Sequence, residues 1–309
     1  MKPLKQIIFI GICGMFGYFI LDAIQHIQSE IHHRNGFIKK ERGYAKLANQ
    51  SYLKAVELIP WENHYRLQLA KSYEDTAIKH PKEHIKYTNL AIKEYETLIK
   101  SDPLNPWFKA RLGLIYHDLH KKNPSQTAYK NLAHDLALAA TNNDPKNPLF
   151  TLHYGHLLYT YNDIEKAKSY YIKTLEYDSD LTEAHFNLGA IYTEENKLEQ
   201  AIRHYKIVHE QLQRLEKKHR RQPSQELKNK IDRFQNARIN LARYYFSENQ
   251  PTSAYELISI IPASVEKYEL FAEYYVKINQ TAAAISLYEQ LNDRLKTDQY
   301  NEKIDELRQ

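Results

Sequence analysis

The chain has 309 residues, and its 43 Lys and Arg against 38 Asp and Glu leave a formal charge of +5, too mild and too spread an excess to argue by itself for a nucleic-acid binder. With 8 Gly, 11 Pro and no stretch alternating Val or Thr with polar residues, the composition excludes a strand-rich fold and reads as all-α. The one cysteine, Cys13, sits in an apolar N-terminal run, so disulfides and thiolate metal sites are excluded from the rest of the chain.

Residues 6–21 carry no charge, follow Lys2 and Lys5, and precede Asp22 and a His-rich polar stretch. At about 1.5 Å per residue the run spans roughly 24 Å, and Ala23, Ile24 and snorkelling lysines would extend it across a hydrocarbon core of roughly 30 Å. We therefore expect residues 1–28 to be a membrane anchor, with 7–24 in the bilayer. A cleavage site wants small residues at its third-last and last positions, and Leu21-Asp22-Ala23 is a poor match, so an uncleaved signal anchor is favoured over a cleaved signal. Gly11, Gly14 and Gly17 recur at every third residue; a membrane helix tolerates this, and it would also let two anchors approach, which leaves a homo-oligomer open. Lys2 and Lys5 lie nearer the run than Arg34, Lys39, Lys40 and Arg42, which points to a single-pass protein of a bacterial inner membrane with its body in the periplasm.

From residue 29 one spacing recurs. Gly36, Ala48, Tyr52, Ala55 and Pro60 mark a degenerate first unit. A second starts near Asn63, with Leu69-Ala70, Tyr73, Ala91, Tyr95 and Leu98, and carries extra residues around 80–83. A third starts near Pro106, with Leu112-Gly113, Tyr116, Ala133, Ala137 and Ala140, and carries extra residues around 121–127. The fourth, from Pro148, has Tyr154-Gly155, Leu158, Ala167, Tyr171 and Thr174. The fifth, from Thr182, is the clearest: Leu188-Gly189, Tyr192, Ala201, Tyr205 and Val208. Residues 211–234 interrupt the series and read as an over-extended second helix broken at Pro223-Ser224, where Ser224 caps the next helix. Leu241-Ala242, Tyr245 and Ala254 mark a shortened unit ending at Pro262; Phe271-Ala272, Tyr275, Ala284, Tyr288 and Leu291 mark the last.

This pattern resembles the tetratricopeptide repeat (TPR) over about residues 29–298. In such a unit two antiparallel helices touch closely at small residues in positions eight and twenty, while larger ones fill the gaps. Gly155 and Gly189, each costing about 1 kcal/mol inside a helix, are then packing residues. The resemblance implies a right-handed α-solenoid of about six to seven TPR helix pairs preceded by one transmembrane helix. The expected divisions are anchor 1–28, units one to five over 29–215, a helical insert over 216–234, units six and seven over 235–298, and a C-terminal tail over 299–309.

The resemblance also implies that positions two, five, nine, twelve and thirteen of each first helix line an inner groove. Counted off here they are His64, Leu67, Lys71 and Glu74, then Trp107, Ala110, Leu114, His117 and Asp118. Leu149, Leu152, His156, Tyr159 and Thr160 come next, then Glu183, Phe186, Ala190, Thr193 and Glu194. Asn236, Ile239, Arg243 and Phe246 complete the set. The middle of that groove is expected to be apolar and aromatic, the character of a protein or peptide partner site. The family's clamp for chaperone tails needs lysine at position five and asparagine at nine; Leu67 with Lys71, Ala110 with Leu114 and Leu152 with His156 do not supply it.

Other signals are weaker. His80 with His84, His117 with His120 and His153 with His156 have helix-sharing spacings, but no HExxH setting accompanies them, and no metal is expected. Arg214, Lys217, Lys218, Arg220 and Arg221, with Lys228, Lys230 and Arg233, could meet phosphates, yet Glu216 and Glu226 interrupt them; the stretch reads as a solvated helix surface, and no nucleic acid is expected. Many of the 25 tyrosines fall at positions eleven and twenty-four and read as core with the hydroxyl at the surface. No phosphate loop, GxSxG elbow or nucleophile pair appears, so neither an enzyme nor a cofactor is expected. The function expected is a membrane-anchored scaffold that holds a protein or peptide for assembly of a cell-envelope complex. The alternative is an accessory subunit for envelope polysaccharide assembly or export.

Overall fold

A computed structural model describes residues 2–309, with the side chains of residue 15 and of residues 17–309. Most of the expected anchor, Cys13 and two of its glycines therefore lie outside the described side chains. Among the described residues no helix is long and apolar enough to cross a membrane, and every regular element is a helix.

The chain divides into two compact units, Met1–Pro145 and Lys146–Gln309. In the first, α1 (Lys2–Glu41) pairs with α2 (Ala45–Leu58), α3 (Asn63–Lys79) with α4 (His84–Ser101), and α5 (Pro106–Lys122) with α6 (Thr127–Asn143). α1 is one uninterrupted helix of 40 residues, so the first repeat helix is continuous with the segment before it. In the second unit α7 (Pro148–Thr160) pairs with α8 (Ile164–Tyr177), and α9 (Thr182–Glu194) with α10 (Leu198–Arg221). A short α11 (Gln225–Arg233) follows, then the pairs α12 (Gln235–Ser247) with α13 (Pro251–Ile260) and α14 (Val265–Lys277) with α15 (Thr281–Leu295), and finally α16 (Asn301–Arg308).

Helix starts follow local chemistry. Asn105 and Asn147 each accept from the backbone N–H two residues on, at 3.1 Å, ahead of Pro106 and Pro148, where a missing N–H costs nothing. Ser224 caps α11 through the Leu227 N–H, as the sequence suggests. Four first helices of the second unit end on an asparagine in the left-handed region: Asn162, Asn196, Asn249 and Asn279, with φ between 55° and 65°. Asparagine tolerates that region better than other side-chain-bearing residues. The next N–H in each case turns back to a carbonyl five residues earlier, as in Asp163 to Leu158 and Lys197 to Tyr192, at 2.9 and 2.8 Å. These asparagines share one repeat position, a signal present in the sequence that helical periodicity alone does not single out.

Within a pair, the small residue at position eight meets the ring at position twenty-four. A Cβ built on Gly36, Gly155 or Gly189 would come within 2.8 Å of Tyr52, 2.9 Å of Tyr171 or 2.6 Å of Tyr205. Those three tyrosines are buried, each worth roughly 2–3 kcal/mol of burial. The degenerate first unit thus shares its packing with the clearest one.

Two expectations need correction. Most of the extra residues of the second and third repeats lengthen the helices: α5 has 17 residues where α7 has 13, and α4 has 18 where α8 has 14, while the turns at 80–83, which holds the 3-10 turn Pro81–Glu83, and at 123–126 are only one residue longer than that at 161–163. About one turn is added where the helix pattern can continue, since buried apolar contacts stabilise helix more than loop. Residues 299–309 are not a bare tail either. α16 lays Ile304 into the last repeat, Tyr300 stacks on Tyr288 at 5.5 Å, and the Tyr300 hydroxyl donates to Glu269 at 2.6 Å. That covers apolar surface which the last pair would otherwise expose.

The interruption is one continuous event. α10 runs 24 residues, past 216 without a break, and its overrun is fixed by Arg238 of α12. Arg238 has no exposed surface; it donates to both Glu216 oxygens at 2.6 and 3.0 Å, to Gln235 at 3.2 Å and to His209 Nδ1 at 3.2 Å. Burial, with Arg238 beside it, holds the His209 imidazole below its ordinary pKa, which suits a neutral acceptor.

Candidate functional site

The first helices of each unit carry the candidate surface, and their five groove positions behave differently from one another. Position two is open: His64, Trp107, Leu149 and Asn236 are exposed, Trp107 by 52%. Position five is mostly core. Leu152 has no exposed surface, and Ala110 and Ile239 are buried; only Leu67 and Phe186 are half-buried there. At position nine Lys71 and Arg243 are exposed, while Leu114, His156 and Ala190 are half-buried. Phe246 is buried. Leu152 is therefore removed from the candidate surface, because it is wholly buried, and Phe246 is removed as an open side chain, reaching the surface only in the wall of a concavity with Glu273, Val276 and Tyr288. Phe186 is only partly available, since its ring meets Phe234 at 5.4 Å and Tyr205 at 6.3 Å.

Positions twelve and thirteen tie neighbouring first helices together, and the pairing recurs in both units. Lys40 donates to Asp75 at 2.6 Å, joining α1 to α3, and the Tyr159 hydroxyl donates to Glu194 at 2.8 Å, joining α7 to α9. Burial and then the Glu194 hydrogen bond push the Tyr159 phenol up to about 12, so it stays a donor through the neutral range. Arg111 adds a bidentate pair with Glu74 at 3.1 and 2.7 Å, joining α5 to α3. In the second unit His156 lies 3.4 Å from the Asn187 amide and 3.3 Å from the Tyr171 hydroxyl. His117 is half-buried, and burial lowers its pKa against the raising effect of Asp118.

On α7, His156 and Tyr159 stand one turn apart, and on α9 Asn187, Ala190 and Glu194 do the same, so the cross-links set these side chains on one shared face. It is mixed in character, aromatic and polar, rather than the apolar strip expected. Its rings and amides are held by bonds inside the protein, which lowers the entropy lost when a partner binds. Among the described residues no group of three or more His, Cys, Asp or Glu side chains gathers. His84 is already engaged, with Nδ1 on the Ala77 carbonyl at 3.2 Å and Nε2 on the Lys122 ammonium at 2.6 Å.

No protein-family model matches the chain, and no curated protein matches it. Solved structures do. The chain is similar to the structure from a functional characterisation of Pseudomonas aeruginosa PilF, with TM-score 0.56 and 16% identity over 81% of this chain and 99% of PilF. The fold is a TPR fold. A crystal structure of MamA aligns with TM-score 0.48 and 20% identity, over 59% of this chain and 96% of MamA. TTC0263, a thermophilic TPR protein of Thermus thermophilus, aligns with TM-score 0.46 and 16% identity, over 67% of this chain and 98% of its own. At these identities the likeness is one of fold, and the TPR units of this chain carry their own surface.

Proposed function

We propose that this chain is a membrane-tethered TPR scaffold that holds a segment of another protein on its first helices, in the assembly of a cell-envelope complex. The observation that carries the reading is the face shared by α7 and α9, a mixed surface on which Leu149 and Ala190 flank His156 and Tyr159, the latter two held by the His156–Asn187 and Tyr159–Glu194 contacts. Such a surface is suited to an extended or helical segment. The tether is supported by α1, where Tyr18, Phe19, Ile20 and Leu21 are four successive exposed apolar residues. Successive helical residues point about 100° apart, so the run is apolar on every side and not along a stripe, which suits lipid better than a partner helix. Lys2 and Lys5, which lie nearer the apolar run than Arg34, Lys39 and Lys40, support a body outside the cytoplasm.

Site-specific photo-crosslinking in native membranes tests the reading, with a probe at Thr193 of the shared face and a control at Arg203 on the outer face of α10. A discrete protein adduct at Thr193 alone supports it, and the client's compartment reports the side of the membrane. Adducts at Arg203 with none at Thr193 overturn it. Removal of residues 1–28 should release the chain from the membrane fraction; retention there would remove the tether.

A further inference from the structure

We infer that the outer face of the α10 overrun, where Arg214, Lys217, Lys218 and Arg221 line up beside one another, is a docking stripe for an acidic helix of a partner protein. The inference does not depend on the first-helix face. It begins from an excess of helix: α10 is 24 residues long where α8 of the preceding pair is 14, so its last turns exceed what the repeat needs. The apolar side of that overrun is satisfied, with Leu212 buried and Leu215 packed on the core. What remains outward is charge.

The four cations are spaced i, i+3, i+4 and i+7, one ridge of a helix roughly 10 Å long, beside an open concavity of about 330 Å³ that Gln222 also lines. Among the described residues none of the four forms an ion pair with a carboxylate. Of the acids near them in sequence, Glu210, Glu216 and Glu226, the one inside the stripe, Glu216, is turned inward with both oxygens on the buried Arg238. The buried arginine thus does two things: it pins the overrun and withdraws the one carboxylate that lies within the stripe from the surface. The helix dipole accounts for cations only in the last turn, which here begins at Lys218. Arg214 and Lys217 lie before it.

The chemistry of the stripe chooses among polyanions. Among the described residues the exposed large apolar side chains flanking the stripe in sequence are Leu198, at the far end of α10, and Tyr255 on α13, so nothing within the stripe itself enters a lipid layer or stacks a base, and charge pairing is its mode of binding. A helix with Glu at i, i+3, i+4 and i+7 presents carboxylates at the same rise per residue as the cations, and can pair all four in one register.

The test uses the full chain in detergent and a synthetic alanine-based helix bearing four Glu at that spacing. Its comparators are a peptide of equal composition with the Glu placed around the helix, vesicles containing phosphatidylserine, and a mixed-sequence DNA duplex. The in-register peptide should bind, weaken as salt rises, and lose about tenfold or more in affinity to the triple variant K217E/K218E/R221E. The variant K217Q/K218Q/R221Q should lose affinity in the same direction with unchanged helicity, which separates lost docking from lost folding. Both variants should keep the Thr193 crosslink, so failure here and failure of the first-helix reading are distinguishable. Absent peptide binding, equal binding by the scattered peptide, or tighter binding by vesicles or duplex would each overturn the inference.

Discussion

Glu216 gives both carboxylate oxygens to the guanidinium of Arg238, a side chain with no exposed surface, at 2.6 and 3.0 Å. The pair holds the α10 overrun against α12 where the repeat series is interrupted. Removing one partner of a buried pair leaves the other charged and unpaired, at a cost of about 3–5 kcal/mol. Arg238→Ala should therefore destabilise the second unit by about that much. Glu216→Gln should cost at least as much, because it leaves the fully buried Arg238 without its counter-charge, whereas the Glu216 left behind by Arg238→Ala keeps 22% of its side-chain surface. Repeat arrays can open piecewise, so the measurement is hydrogen exchange of the α10 and α12 amides. Unchanged protection in the alanine variant would mean the pair holds nothing.

A second expectation concerns acid. His185 and His204 meet Nδ1 to Nδ1 at 2.8 Å, and His185 Nε2 lies 2.9 Å from the Ser179 carbonyl. A neutral His185 therefore donates through Nε2 and accepts through Nδ1 from His204, which stacks on Tyr192. Burial, then the neighbouring His185, lower the His204 pKa from 6.5 to about 4. A histidine whose folded pKa is depressed takes up its proton more readily when unfolded. Its contribution is present above 6.5 and is lost as pH falls from 6.5 toward about 4. His204→Phe keeps the stacking and removes the titration. Its melting temperature should be lower than wild type near neutrality and decline less steeply over that window. Parallel declines would exclude the pair as a source of acid lability.

The glycines divide by what stands opposite them. A Cβ at Gly189 would meet the Tyr205 ring at 2.6 Å, whereas one at Gly113 would find its nearest neighbours at 3.4 Å. Gly189→Ala should destabilise by about 1–3 kcal/mol through overpacking. Gly113→Ala should be neutral or stabilising, by up to about 1 kcal/mol from helix propensity. Chemical denaturation of the two variants side by side checks the sign of each.

Much of this architecture was legible because packing at positions eight and twenty-four depends on residue size, and size is written in the sequence. Gly36 and Tyr52, with Ala48, Ala55 and Pro60, mark even the degenerate first repeat, and Ser224 marks the α11 start through its capping hydroxyl. The candidate surface was less legible. Leucine at position five reads the same whether it faces a groove or the next helix, so the sequence places Leu152 on the surface although it is core. The role of Glu216 depends on Arg238, 22 residues away, and no local pattern announces that pairing. α16 is not legible in the sequence, because Tyr300 and Ile304 supply so few apolar positions that short-range periodicity alone does not single it out.

Leu149 and Leu152 lie on α7, three residues apart, and provide the sharpest test of which groove positions are surface. Leu149 is 39% exposed and Leu152 is fully buried. Leu152→Ala should open a cavity and cost about 2–5 kcal/mol, with any loss of partner capture following from lost folding. Leu149→Ala should leave stability within about 0.5 kcal/mol yet reduce the client adduct formed at Thr193, because it trims the open edge of the face carrying His156 and Tyr159. The paired readout is thermal unfolding together with crosslinking yield. If Leu149→Ala captures its client as wild type does, position two is outside the binding surface and the client must be sought around Tyr159 and Ala190. If it unfolds as readily as the Leu152 variant, the exposed edge is part of the core, and the division between open position two and buried position five fails.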